Sequence, residues 1–281
     1  MSLRTCSFDR LPAPAPACHP RGVYGKPIID LTDKVAIVTG SSRGIGRSIA
    51  EHLARAGARV VISSRKQPAC DAVAAAIHDA GGQAIAVPCN ISDRAQINAL
   101  VDRTLDTWGR VDILVCNAAS NPYFGPLAGL PDEVFAKIMH NNVLSNLWLA
   151  RRVAPAMMER RDGAILLISS IGGLRGDPLL GAYNMSKAAD MQLVRGLAVE
   201  YGHANVRVNA IAPGLVKTDF ARALWDNPDL LQMVERRTPL GRIGEPDDIG
   251  PLAAFLCSPA ATFITGQVLV ADGGVTIAAA W

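Results

Sequence analysis

Residues 164–187 read Ala-Ile-Leu-Leu-Ile-Ser-Ser-Ile-Gly-Gly-Leu-Arg-Gly-Asp-Pro-Leu-Leu-Gly-Ala-Tyr-Asn-Met-Ser-Lys. Ala164–Ile168 is an unbroken apolar run, too short for a separate helix and suited to a parallel strand covered on both faces. Ser169 and Ser170 fall where that strand ends, and in open α/β sheets ligands gather beyond the carboxyl ends of the strands. Glycines then punctuate a loop. Beyond it Tyr183 and Lys187 stand four apart at the start of a helix, which stacks their side chains on one face. A free phenol titrates near about 10; beside an ammonium group it ionises more readily and becomes a usable general acid or base. A Tyr-x-x-x-Lys spacing also arises by chance, so its weight depends on what surrounds it.

The rest of the chain repeats the same strand-then-helix period. Val35–Val38 is a buried strand, Gly40 to Gly46 a turn, and Ile45, Ile49 and Leu53 mark one face of a helix that Gly57 ends. Val60–Ile62 is the second strand. Pro68 suits the first turn of a helix bearing Cys70, Val73 and Ile77, closed by Gly81 and Gly82. Ala84–Val87 follows as a strand. Ser92 is then expected to cap a helix carrying Ile97, Leu100, Val101, Leu105 and Trp108, with Gly109 at its end. After a strand at Val111–Val115, one long helix is expected from about Asp132 to Met158. The strand at 164–168, a helix over Tyr183–Tyr201, a strand at Val206–Ile211, a helix near Asp247–Leu256 and a strand at Val268–Val270 complete the pattern. The alternation predicts the α/β class: a doubly wound, Rossmann-like parallel sheet in a single domain.

With 281 residues, 49% of them hydrophobic, the chain can bury one large core. Its net charge of +3 comes from interspersed charges of both signs, which argues against nucleic acid or a membrane surface as the main partner. No apolar run reaches the roughly 18 residues of a membrane span. The six cysteines are scattered, without Cys-x-x-Cys or histidines at metal-ligand spacing. They read as small buried hydrophobes in a reducing, cytoplasmic setting, with no metal site. None of the five histidines is given a chemical role. Residues 1–27, with Leu-Pro-Ala-Pro-Ala-Pro-Ala, read as a flexible N-terminal arm ahead of a domain over 28–281. The arm lacks the continuous apolar segment of a secretory signal, and a misassigned start codon would also explain it.

Thr39-Gly40-Ser41-Ser42-Arg43-Gly44-Ile45-Gly46 lies between the first strand and the first helix, the context in which a glycine-rich turn binds a nucleotide. Without β-carbons, Gly40, Gly44 and Gly46 let backbone and pyrophosphate approach closely, and the helix N-terminus offers unpaired N–H groups.

With this turn, residues 31–275 resemble the short-chain dehydrogenase/reductase family. The spacing Gly-x-x-x-Gly-x-Gly matches its short, single-domain members. Asn117-Ala118-Ala119 stands where the family has Asn-Ala-Gly, Asn142 falls in the long helix, Ser170 precedes Tyr183 by thirteen residues, and Pro213-Gly214 with Thr218 follows the sixth strand. The resemblance implies that Tyr183 exchanges a proton with a carbonyl or alcohol. It implies that Lys187 binds the nicotinamide ribose and lowers the Tyr183 pKa, that Ser170 holds the substrate oxygen, and that Asn142 anchors a water-linked proton path. Gly40, Ser42, Arg43, Gly44, Ile45 and Gly46 would cradle the cofactor, Asn90 and Ile91 flank its adenine, and Asn117 and Ala118 support it from the sheet centre. Pro213, Gly214, Val216 and Thr218 would hold its nicotinamide end. Asn90 replaces an Asp that contacts the adenine amino group, though its side-chain oxygen can accept the same bond. Ala119 adds one methyl where the family has glycine.

An NAD site places a carboxylate about 20 residues beyond the glycine turn. Here Ser64, Arg65 and Lys66 stand at that place, and Arg43 lies within the turn, so NADP(H) is expected over NAD(H). Between Leu215 and Leu240, the residues Phe220, Leu224, Trp225, Leu230, Leu231 and Met233 read either as a lid over a mainly apolar ketone or alcohol or as the packing of a short helix. Tyr123 and Phe124 would join the same wall. Arg175 and Asp177 read as solvated loop charges. The resemblance implies a homotetramer, or a dimer. The leading reading is a carbonyl reductase or alcohol dehydrogenase. Its rivals are a 3-oxoacyl-thioester reductase, which needs a basic patch the sequence does not show, and a non-catalytic protein sensing nicotinamide redox state.

Overall fold

The computed structural model describes residues 28–278, so the arm expected over 1–27 lies outside the described residues. The strands β1 (Val35–Thr39), β2 (Arg59–Ser63), β3 (Gln83–Ala86), β4 (Ile113–Cys116), β5 (Gly163–Ile168), β6 (Val206–Pro213) and β7 (Val268–Ala271) pair in the order β3-β2-β1-β4-β5-β6-β7. Every pair is parallel. The helices are α1 (Gly44–Arg55), α2 (Gln67–Asp79), α3 (Arg94–Trp108), α4 (Asp132–Met139), α5 (Ser145–Arg160), α6 (Gly181–Tyr201), α7 (Arg222–Trp225), α8 (Pro228–Arg237) and α9 (Gly250–Cys257).

Side chains alternate across the central strands β1, β2, β4, β5 and β6 and are buried on both sides, whereas the edge strands β3 and β7 are partly exposed. Ala36, Val38, Val60 and Ile62 pack with Ile49 and Leu53 of α1, Val73 of α2 and Ala253 of α9. Ile37, Val61, Leu114 and Leu167 pack with Leu100 of α3, Val153 of α5 and Val194 of α6. Such two-sided burial is why the strands read as continuous apolar runs. The fold is the expected doubly wound α/β sheet, and its strand order turns at β1, which pairs with both β2 and β4. In sheets of this kind ligands bind beyond the strand ends at such a turning point.

Of the boundaries that differ from expectation, three bear on the site. Asp93, not Ser92, caps α3, its carboxylate accepting from Ala95 N and Gln96 N. Ser92 is diverted because its N–H and hydroxyl both donate to Asn90 Oδ1. The helix expected to run unbroken over 132–158 is interrupted: α4 stops at Met139, a π-turn covers His140–Leu144, and α5 begins at Ser145. Single π-turns inside α-helices gather at functional sites, and this one carries Asn142. Finally, α6 starts at Gly181, which puts Tyr183 in its first turn. No helix among the described residues is long and apolar enough to cross a membrane.

Candidate active site

The glycine turn is fitted to the end of β4. Gly40 and Gly44 take φ of +65° and +57°, a region that disfavours side chains. A β-carbon on Gly46 would lie 2.4 Å from both Asn117 Nδ2 and Gly40 O. Asn117 Nδ2 donates to Thr39 O at 3.0 Å and Gly40 O at 3.1 Å, while Thr39 Oγ1 accepts from Asn117 N and Ala118 N, both at 3.1 Å. One amide thus ties the carboxyl ends of β1 and β4 together. Helix α1 has no side-chain cap bond from Arg43 and no acidic residue in its first turn. Its leading N–H groups and positive dipole end are left for an anion. A pyrophosphate fits this cradle.

At the end of β2, Ser42 Oγ donates to Ser64 Oγ at 2.9 Å, and Arg65 and Lys66 are exposed. Arg43 reaches the other way, its Nη1 lying 3.1 Å from Asp219 Oδ2. Asp219 also pairs with Arg222, whose hydrogen bond is the first cause of its lowered pKa. Asn90 Oδ1, expected to face an adenine, spends its two lone pairs on Ser92. Ile91 beside it is half-buried.

Beyond β6, Gly214 N donates to Ala271 O at 3.0 Å, and buried Val216 forms a bridge with Gly244 that roots the segment 215–244. Thr218 reaches back over the glycine turn, where a β-carbon on Gly44 would lie 3.1 Å from its Cγ2. Phe220 brings its ring centroid to 6.0 Å from that of Tyr183. Trp225 does not join that wall: its Nε1 donates to Thr218 O at 2.7 Å and Lys217 and Arg222 cover its faces. Tyr123 bonds Pro126 O at 2.8 Å, and Phe124 is exposed. Asp177 Oδ1 accepts from Leu179 N and Leu180 N, shaping the loop before α6.

Ser170 sits one residue past Ser169 at the end of β5, its Oγ accepting from Gly172 N at 3.0 Å. That bond leaves the hydroxyl proton to donate elsewhere. Lys187 is buried, donating from Nζ to Ile168 O at 2.9 Å and to Asp190 Oδ2 at 3.1 Å. The same Nζ lies 5.7 Å from the Tyr183 ring centroid. Burial works against its charge, but Asp190 and then Tyr183 raise its pKa above the ordinary value.

Asn142 is fully buried. Its Oδ1 accepts from Ser120 N at 2.8 Å, and its Nδ2 donates to Ser120 O and Ser186 Oγ, both at 3.0 Å. Ser186 Oγ donates in turn to Tyr183 O at 2.7 Å. Asn146 Nδ2 donates to Asn142 O at 2.6 Å and Asp190 Oδ1 at 3.0 Å. Ser120, Asn146, Ser186 and Asp190 escaped the sequence reading. For the last of these a signal existed: an acidic residue three positions beyond Lys187, on the face that α6 buries.

A glycine turn that a pyrophosphate would fit at the sheet's turning point, together with a hydroxyl donor at the end of β5 and a phenol–ammonium pair on α6, points to a dinucleotide-binding oxidoreductase. The comparisons with known proteins narrow this. Residues 40–276 match the family model described as enoyl-(acyl carrier protein) reductase. The chain is 41% identical over 244 residues to dehydrogenase/reductase SDR family member 4 of Bos taurus, covering 87% of this chain and 88% of that one. It is 40% identical over 243 residues to the human mitochondrial dehydrogenase/reductase SDR family member 2, covering 86% of each. Among solved structures it resembles a 7α-hydroxysteroid dehydrogenase complexed with NADH and 7-oxo glycochenodeoxycholic acid, with 39% identity, a TM-score of 0.85, and 88% and 95% of the two chains covered. A gluconate 5-dehydrogenase from Burkholderia cenocepacia J2315, in complex with NADP and tartrate, shares 33% identity at a TM-score of 0.85 over 89% and 98%. The chain belongs to the short-chain dehydrogenase/reductase family. It is an oxidoreductase acting on small-molecule alcohols or carbonyls with a nicotinamide cofactor.

Proposed function

We propose that this chain is an NADP(H)-dependent carbonyl reductase or alcohol dehydrogenase in which Tyr183 is the general acid and base. The observation that carries the reading is the buried Lys187 Nζ, 5.7 Å from the Tyr183 ring, one turn along the same helix. When bound, a nicotinamide would supply or accept hydride at the carbon of the C=O or CH–OH group. Ser170 donates its hydroxyl proton in a hydrogen bond to the substrate oxygen and orients it. Tyr183 delivers its phenolic proton to that oxygen during reduction and takes it back during oxidation. Lys187 steadies the phenolate by charge, and its remaining N–H would bind the nicotinamide ribose. Asn142, through Ser186, holds the first turn of α6 in place.

The cradle at Gly40–Gly46, with Ser42 and Ile45, would hold the pyrophosphate, Asn117 and Ala118 would back it, and Pro213, Gly214, Val216 and Thr218 would close over the nicotinamide. NADP(H) is favoured because the end of β2 offers hydroxyls and exposed cations at Ser42, Ser64, Arg65 and Lys66 rather than a carboxylate. A 2′-phosphate there has to compete with Asp219 for Arg43. Phe220 supports a mainly apolar ketone or alcohol. A homotetramer and a cytoplasmic location complete the reading, the latter supported by the free, buried Cys70, Cys89, Cys116 and Cys257.

The test is a panel of apolar ketones, hydroxylated ketones and a 3-oxoacyl thioester, each with NADPH and NADH, followed at the nicotinamide absorbance. The reading calls for turnover of apolar ketones with NADPH. A preference for the thioester would transfer it to the rival reductase, and a protein that binds NADPH but turns over no member of the panel would be a sensor. Light scattering tests the assembly, where a monomer mass at micromolar concentration contradicts the tetramer.

A further inference from the structure

The buried polar side chains between α5 and α6 form a chain that ends on Lys187. Asp190 is 0% exposed and spends both oxygens inward, Oδ2 on Lys187 Nζ at 3.1 Å and Oδ1 on Asn146 Nδ2 at 3.0 Å. Asn146, itself buried, reaches both Asp190 and the main-chain oxygen of Asn142. A carboxylate in that position is costly to bury unless paired and hydrogen-bonded. Both conditions are met, and the partner is the ammonium that faces Tyr183. We infer that Asp190 is a positioning residue: it fixes Lys187 Nζ against β5 and, by its negative charge, limits the positive field that Tyr183 feels.

The inference rests on the reading of Tyr183 and Lys187 given above, and it follows from geometry and Coulomb's law. Of the three N–H groups of Lys187, one goes to Ile168 O and one to Asp190, so the third has a set direction rather than a free rotor. The charged or titratable groups around Nζ are few. On α6 they are Tyr183 and Asp190, and from β4 the Cys116 thiol, whose pKa burial pushes well up so that it stays neutral. From β5 comes the Ile168 carbonyl and from α5 the uncharged Asn146. Asp190 is therefore the one carboxylate among the described residues in contact with this ammonium. Strongly interacting sites titrate as a unit, and a negative charge beside the Tyr183–Lys187 pair makes either proton harder to remove. Removing it, with Lys187 still charged and bonded to Ile168 O, brings the Tyr183 deprotonation to lower pH. Asp190 touches Lys187 at 3.1 Å and acts on Tyr183 through that ammonium, so the displacement read at Tyr183 is smaller than the roughly 1 to 3 units of a charge in direct contact.

The experiment compares wild type with Asp190→Asn, which keeps the size and the acceptor for Asn146. Tyrosinate absorbance is titrated in each protein and in the same background carrying Tyr183→Phe, so that the difference isolates Tyr183 without cofactor or substrate. The alkaline limb of kcat/KM for ketone reduction is recorded alongside. Both are expected to move to lower pH by about half a unit or more, with kcat falling more than KM rises. An unmoved difference titration in a folded Asp190→Asn protein overturns the inference, even if turnover falls. Should that variant fail to fold, the carboxyl-carbon resonance of Asp190 is followed in the wild type. It should shift as Tyr183 ionises and stay still in Tyr183→Phe, and its failure to track Tyr183 also overturns the inference. Retained turnover in Tyr183→Phe would instead sink the catalytic reading, whereas the titration judges Asp190 by itself.

Discussion

The rings of Tyr183 and Phe220 stand 6.0 Å apart, tilted by 42°. Phe220 lies in the segment between β6 and α9 and is 56% exposed, so an apolar substrate resting beside Tyr183 would cover it. Partial burial of one phenyl ring against a ligand accounts for about 1 kcal/mol, less than the roughly 1.5–3 kcal/mol of full burial. Phe220→Ala is expected to raise KM for an apolar ketone about three- to tenfold while kcat stays within about twofold, because the lost contact is present before and during the reaction. Steady-state kinetics on apolar and hydroxylated ketones checks this, the latter being little affected.

The corner beyond β2 sets the choice of cofactor. Arg65 and Lys66 are exposed there, and Arg43 is tied to Asp219. Charge-assisted hydrogen bonds of roughly 1.5–3 kcal/mol each to a 2′-phosphate do not add fully when neighbouring. The expected preference for NADPH over NADH in kcat/KM is therefore about tenfold to a thousandfold. Arg65→Ala should reduce that ratio at fixed ionic strength. Asp219→Asn should increase it by releasing Arg43. Equal efficiencies in the wild type would contradict the account.

Arg242 holds Asp248 through Nη1 at 2.6 Å and Nη2 at 2.8 Å, and Glu245 N adds a bond at 2.7 Å. The Arg242 hydrogen bonds come first among the causes that lower the Asp248 pKa to about 2. A carboxyl whose folded pKa lies below its unfolded value stabilises the fold above the unfolded value, about 3.9, and loses that contribution as pH falls through the folded value. Both side chains are partly solvated, which keeps the effect to about 0.5–1 kcal/mol. Asp248→Asn should lower stability by that amount near neutral pH and by progressively less between about pH 4 and about pH 2. Denaturant melts across that range provide the check.

Which features were legible in the sequence follows from how far apart their parts lie. Val35–Val38 and Ala164–Ile168 announced strands because burial on both faces leaves no polar residue in the run. Tyr183 and Lys187 were visible because one helical turn separates them, and the glycine turn because strand and helix flank it. The π-turn at His140–Leu144 was hidden: it widens one helical turn without changing the apolar content of a stretch that reads as one helix. Ser92 and Asp93 are both capping residues, and only the contact from Asn90 decides between them. Asp190 was not singled out, because the groups that hold it and Lys187 come partly from β5 and α5, which meet α6 only in the fold. The Arg43–Asp219 pair joins residues 176 apart in sequence, and no local pattern reports such a contact.

The central claim is that the phenolic proton of Tyr183 is the one exchanged with substrate. Tyr183→Phe keeps the ring against Phe220 and removes only the hydroxyl. The direct measurement is single-turnover reduction of a ketone by the NADPH-loaded variant, paired with its NADPH dissociation constant by fluorescence. The account predicts cofactor binding within about threefold of wild type and a rate lower by about 10²–10⁴-fold, the usual worth of a positioned general acid. A variant that binds NADPH normally and reduces the ketone at near the wild-type rate would contradict it.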